Sequence, residues 1–79
     1  MNAIEGRIAE ILASHFKIDP GVVDSDVTFA ELRFDSLVLV ELGLVLDKEF
    51  GIAIDDNELA EEMTIADAAD LVAAKGAVL

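Results

Sequence analysis

The sequence predicts an all-α fold: a small four-helix bundle, three main helices plus one short helix, with a long loop between helices 1 and 2. Three observations carry this expectation. Apolar residues recur at helical spacing in three separate stretches, residues that start or stop helices flank them, and the Val-rich run between the first two finds no partner strand elsewhere. No repeat, linker or low-complexity segment interrupts the 79 residues, so residues 1–79 are read as a single domain.

The first helix is drawn by Ile4, Ile8, Ile11, Leu12 and Phe16, which fall on one stripe of an amphipathic helix. Asn2, with Glu5 three residues on, has the spacing of an N-cap and its reciprocal acid. The helix is expected to end near Lys17, because Pro20 restricts Asp19 and Gly21 permits a turn. From Ile18 to Asp35 the apolar residues lose their period: Val22, Val23, Val27, Phe29 and Leu32 are scattered among Asp24, Asp26, Thr28 and Glu31. This reads as a long loop pinned by apolar anchors, with one helical turn at Thr28–Leu32. Loops of that length are uncommon in compact domains and are often functional.

The central helix runs from Ser36 to Phe50. Leu39, Leu42, Leu46 and Phe50 share one face, Asp35 is its N-cap, and Gly51 stands where a left-handed C-terminal cap is favoured. Its other side mixes Leu37, Val40, Leu44 and Val45 with Glu41, Asp47 and Lys48, more apolar than an ordinary solvent face. Either another helix of the chain covers it or a transient partner does. Gly43, midway along, admits close helix packing or leaves space for a guest. Beyond Gly51, Asp55-Asp56-Asn57-Glu58 opens a short helical turn through Leu59 to Glu62. The last helix starts at Thr64, with Asp67 completing an imperfect capping box, and buries Ile65, Ala68, Leu71 and Val72 before Gly76.

Composition excludes most functional classes. With 54% apolar residues and no disulfide or thiolate metal site, the core must be dense. A chain of this size has about 4–12 kcal/mol of net stability. The absence of cysteine removes zinc ribbons, iron–sulfur ligation and thiol nucleophiles, and fits a reducing compartment, with the cytoplasm as the expected location. No apolar stretch reaches the roughly 18 residues of a membrane span, and Glu5, Glu10 and Asp19 argue against a signal peptide. Five Lys and Arg against seventeen Asp and Glu give a formal charge of −12, which repels nucleic acid and anionic membranes alike. The charge is uneven: residues 1–34 carry six acids and three bases (−3), residues 35–79 eleven acids and two bases (−9). An acidic half of this kind suits basic partners or serves solubility.

Catalytic and metal chemistry finds little support. His15 is the only histidine and lies late in the first helix, where it favours the helix dipole. Asp24, Asp26, Thr28 and Asp35 echo a calcium loop, but Phe29 stands where the sharp turn needs glycine, and the last ligand is not a glutamate. The pairs Asp55/Asp56 and Glu61/Glu62 read as solvated charge, since a domain this small lacks a cleft to perturb them. Ser36 is different. Asp35 already supplies the cap, so the Ser36 hydroxyl is free to project at the end of a long loop. The helix N-terminus tolerates a phosphodiester there despite the acidic background.

The run Phe34-Asp35-Ser36-Leu37-Val38-Leu39-Val40-Glu41-Leu42 resembles the Asp-Ser-Leu signature of acyl carrier proteins. Phe29 and Leu32 upstream, Phe50-Gly51-Ile52 after the central helix, Asp56 opening a short third helix and Thr64 starting the last extend the resemblance over essentially the whole chain. It implies a four-helix carrier, not an enzyme. Asp35-Ser36-Leu37 would be the prosthetic site and Ser36 the attachment point of 4′-phosphopantetheine, taken from coenzyme A by a magnesium-dependent phosphopantetheinyl transferase. The arm's thiol would carry acyl groups as thioesters, which accords with a chain that has no cysteine. The implied partners are the transferase and an acyltransferase, ligase, ketosynthase or other pathway enzyme with a basic docking patch. Such a patch would read Asp35, Glu41, Asp47 and Asp56 by charge and Leu37, Val40 and Leu44 by contact, with the carrier a monomer.

Four positions depart from carriers of fatty acid synthesis. Arg33 and Phe34 stand where Gly and a small residue are usual, Val38 replaces an acid, and Lys48 interrupts an acidic run. These departures favour a discrete carrier of a polyketide or other specialised pathway. The alternatives are a peptidyl or aminoacyl carrier, whose usual Gly-Gly-His/Asp-Ser is absent here, and an acidic helical docking module with no prosthetic group.

Overall fold

A computed structural model describes residues 2–77. The all-α class holds: helices α1 (Ala3–His15), α2 (Ser36–Phe50) and α3 (Ile65–Ala74) enclose one core, with a single 3₁₀ turn, Pro20–Val22, in the loop after α1. α1 packs on α3 and on the 3₁₀ turn, and α2 contributes Leu39, Leu42, Leu46 and Phe50 to the same buried cluster as Ile8, Leu12, Ile65 and Val72.

Local chemistry sets the helix ends. Asn2 accepts from the Glu5 amide at 2.8 Å, Asp35 from Val38 at 3.0 Å, and Thr64 and Asp67 form a complete capping box. Glu5 does not reciprocate toward Asn2. Glu5 is 8% exposed, and its carboxylate accepts instead from the Ser25 hydroxyl and fastens the long loop to α1. α1 stops at His15, short of Lys17. Lys17 adopts φ 60°, and the Ile18 amide returns to the Leu12 carbonyl at 3.0 Å, so the chain reverses before Pro20 can act. Gly51 closes α2 with φ 66°, as its position predicts.

The loop between α1 and α2 is anchored as expected, and more deeply. Phe29 is fully buried, and Val23 and Phe34 are 5% and 4% exposed. The turn at Thr28–Leu32 closes through the Leu32 amide on the Thr28 carbonyl at 3.2 Å. The loop finds no partner strand among the described residues, as expected, but its backbone bonds to a second non-helical segment. Phe29 N–H donates to Met63 and Ala30 N–H to Glu61, while Ile65 and Ala66 donate back to Val27 and Ser25, around an antiparallel bridge between Thr28 and Thr64.

The main departure from the expected bundle lies in the segment next to that pairing. The short helix predicted between α2 and the last helix is absent, and residues 55–62 form a series of turns. The loop amides of Phe29 and Ala30 hold the end of the segment through the Met63 and Glu61 carbonyls, and the Ala60 amide, which a helix would direct to the Asp56 carbonyl, points at the Met63 sulfur at 3.3 Å. Asp55-Asp56-Asn57 is a weak helix former, and so short a segment cannot outweigh these tertiary bonds.

Because Phe29 joins the loop, α1 and the 61–66 segment in one core, Phe29→Ala is expected to cost about 3–5 kcal/mol, a large share of the total. Denaturant unfolding monitored by circular dichroism measures this; a loss below about 1 kcal/mol, the size of an average substitution, would contradict the anchoring role.

Candidate functional site

The loop delivers Ser36 to the surface through its two phenylalanines. The Phe34 ring stacks on Phe29 at a centroid distance of 5.8 Å and packs against Phe16 at 5.3 Å, and its amide bonds the Phe29 carbonyl at 2.9 Å. Arg33, at φ 64°, turns the chain ahead of this anchor. The left-handed backbone costs a side-chain-bearing residue about 1 kcal/mol, and it brings Asp35 out of the core at the start of α2.

Ser36 is the first residue of α2 and is exposed. Asp35 caps Val38, and among the described residues no hydrogen bond engages the Ser36 hydroxyl. Beside it lies an open hollow of about 670 Å³ between α2 and the turns at 56–62. Leu39, Val40, Leu59 and Ala60 form its apolar lining; Asp56, Glu61 and Glu62 supply its acids. Farther along α2 a much smaller void of about 10 Å³ lies among Leu39, Gly43, Leu59 and the exposed Leu44 and Asp55. A Cβ on Gly43 would meet Leu59 Cδ1 at 3.7 Å, an ordinary contact, so close packing does not require glycine there.

A prosthetic phosphodiester fits this setting. The helix N-terminus favours the added negative charge, the hydroxyl is unengaged, and the adjoining hollow can shelter the pantetheine chain. Asp35 would keep the helix start intact during modification.

The other residues singled out in the sequence divide into three groups. Val40 and Asp56 share the hollow with Ser36. Leu37 and Leu44 are 79% and 63% exposed and lie with Glu41 along one face of α2, so no other helix of the chain covers that side. Glu41 is itself exposed, with its carboxylate 3.6 Å from the His15 imidazole. Asp47 stands apart: half-buried, its Oδ1 accepts from the Ile54 amide at 2.7 Å, which fastens the chain leaving α2. Among the four unusual positions, Arg33 and Lys48 reach the surface, whereas Phe34 is core and Val38 is packed against it.

Leu59, Ala60 and Asn57 were missed as site residues because their approach to Ser36 depends on turns that the sequence does not announce. A second hollow, about 640 Å³, lies on the loop near Lys17, Val22 and Arg33 and does not include Ser36. Among the described residues no cluster could hold a metal ion.

Residues 6–72 match the family described as phosphopantetheine attachment site. The chain is 38% identical over 67 residues to an acyl carrier protein of Thermosynechococcus vestitus (strain NIES-2133 / IAM M-273 / BP-1), covering 84% of this chain and 83% of the relative. It is 34% identical over 70 residues to an acyl carrier protein of Petrotoga mobilis (strain DSM 10674 / SJ95), covering 87% and 82%. Sequence likeness over most of both chains thus joins a helical frame that leaves a serine free beside an open hollow. The chain belongs to the acyl carrier protein family, as a non-enzymatic carrier with a covalently attached 4′-phosphopantetheine.

Proposed function

We propose that Ser36 is the attachment residue and that this single-domain, monomeric carrier serves a polyketide or related specialised pathway in the cytoplasm. The observation that carries the assignment is the Ser36 hydroxyl, exposed and unengaged at the start of α2 while Asp35 does the capping. When attached, the arm supplies a thiol on which acyl groups travel as thioesters. Asp35 holds the helix start, and the Leu39, Val40, Leu59 and Ala60 lining gives the arm an apolar surface to lie against.

Enzymes that load, extend or unload the cargo dock on α2. Glu41, Asp35 and Asp56 attract a basic patch, Asp47 adds charge from a carboxylate committed to the turn, and Leu37, Val40 and Leu44 form the short-range contact. Charge-driven encounter with a small apolar contact favours fast association and fast release. The specialised pathway rests on two exposed cations, Arg33 and Lys48, where carriers of fatty acid synthesis are usually neutral or acidic. They lower the negative charge that such partners would read. Among the described residues no helix is long and apolar enough to cross a membrane.

Incubation with coenzyme A, magnesium and a promiscuous phosphopantetheinyl transferase is expected to add one phosphopantetheine by intact mass, with no addition to Ser36→Ala. Addition to the variant, or none to the wild type, would remove the assignment and favour a docking module without a prosthetic group.

Glu41→Lys is expected to slow association with the transferase several-fold at low salt, with the difference shrinking as ionic strength rises. Stopped-flow binding across a salt series measures it. Equal rates at every salt concentration would show that Glu41 takes no part in steering.

A further inference from the structure

The two sides of the hollow beside Ser36 differ in construction. One is α2, a continuous helix. The other, residues 55–62, is a chain of turns held at its ends: by Asp47 on the Ile54 amide at 2.7 Å, and by the loop amide of Ala30 on the Glu61 carbonyl at 2.8 Å. Between those ties two side-chain bonds reach outward among the described residues: the Ala60 amide bonds the Met63 sulfur at 3.3 Å, just past the second tie, and Glu58 bonds α3. Lys75, the C-cap of α3, places Nζ 2.7 Å from Glu58 Oε1. That same oxygen accepts from the Asp55 amide at 2.8 Å, and the Glu58 amide donates to the Asp55 carbonyl at 3.0 Å, so a single carboxylate closes the turn and moors it to α3.

This pair is unlike the others in the molecule. Its side chains are 29% and 28% exposed, against 51% and 39% for Arg7–Glu49, which are 3.3 Å apart. Next along the chain, Leu59 is 7% exposed and abuts Gly43, where only about 10 Å³ is open. Any cargo entering behind Leu39 must move Leu59, and Leu59 moves with the turn that Lys75 holds.

We propose that the Glu58–Lys75 pair is a latch that holds residues 55–60 against α2 and so sets how far the hollow beside Ser36 can open for cargo. Lys75 acts as a positioning residue and touches neither arm nor cargo. The role in cargo admission rests on the carrier reading of Ser36; the latch itself is a property of the unmodified chain.

The pair should stay closed across the neutral range. The hydrogen bond from Lys75, aided by the Asp55 amide, lowers the Glu58 carboxyl from its ordinary 4.5. Glu58, followed by the charges of Asp55 and Asp47, raises the Lys75 ammonium from 10.5. The stabilisation from the lowered acid is present above 4.5 and lost as pH falls through the folded-state value; that from the raised base is present below 10.5 and lost as pH rises through its folded-state value.

Amide hydrogen exchange on the unmodified protein tests the latch. Lys75→Met is expected to speed exchange at residues 54–60 by about two- to fivefold, the factor that a partly shielded ion pair supplies, with α1 and α3 unchanged. Lys75→Arg should restore slow exchange, and Arg7→Met, which makes the same change in net charge elsewhere, should leave 54–60 as in the wild type. The excess in Lys75→Met should disappear as pH falls well below 4.5. Unchanged exchange at 54–60, or an increase spread evenly over α1 and α3, would overturn the proposal. In a second arm, an environment-sensitive acyl-pantetheine is loaded on Ser36 and checked by mass. Its emission should shift further to the blue in Lys75→Met than in the wild type, and identical emission would overturn the cargo role. Failure to load would count against Ser36 as the attachment site, while the exchange data would still decide the latch.

Discussion

Burial of Phe29 governs the position of Ser36. The ring sits in the core shared by α1, α2 and α3, and the backbone on either side pairs with residues 61–66. Phe34 then stacks on it, which fixes the path of the chain into α2. A loop between helices would ordinarily be the least determined part of so small a protein. Here it is tied by aromatic packing, by backbone bonds to a second non-helical segment and by the Ser25 hydroxyl on Glu5. The freedom removed from the loop is what lets one exposed hydroxyl occupy a defined place.

Division of labour between neighbouring residues follows. Asp35 satisfies the first turn of α2, so Ser36 owes nothing to the helix and is available for modification. Leu37, next in sequence, points to solvent, while Leu39 and Leu42 face the core. Within eight residues, the helix period separates capping, a free hydroxyl, an exposed apolar side chain and core packing, and each follows from the 100° step between successive side chains.

Local rules made much of this legible. The three helices, the Asp35 cap, the left-handed Gly51 and the Thr64–Asp67 box depend on residues within four positions of one another, and all are readable as sequence patterns. Interactions between distant segments were not. Glu5 has the spacing of a reciprocal cap but turns to Ser25, twenty positions away. Asp47 looks like one more surface acid, yet it secures Ile54 across the end of α2. Phe34 and Val38 look like recognition changes beside the serine, and their surroundings make them packing residues. The turns at 55–62 read as a helix because their sequence carries cap-like acids, whereas the bonds that hold their ends come from Asp47 and from the distant loop residues Phe29 and Ala30. Of the site, the serine and its helix were accessible from sequence, and of the opposite rim only Asp56 was.

The unequal stiffness of the two rims has a further consequence. A helix of 15 residues resists bending because displacing any one turn disturbs its neighbours, whereas a string of turns yields one bond at a time. A load carried beside Ser36, as proposed, would therefore be accommodated on the compliant rim, and the stripe of Leu37, Glu41 and Leu44 would keep its shape. On the proposed reading, enzymes that grip the helix receive the same handshake from a laden molecule as from an empty one, and discrimination by content falls to those that also feel the turns at 55–62.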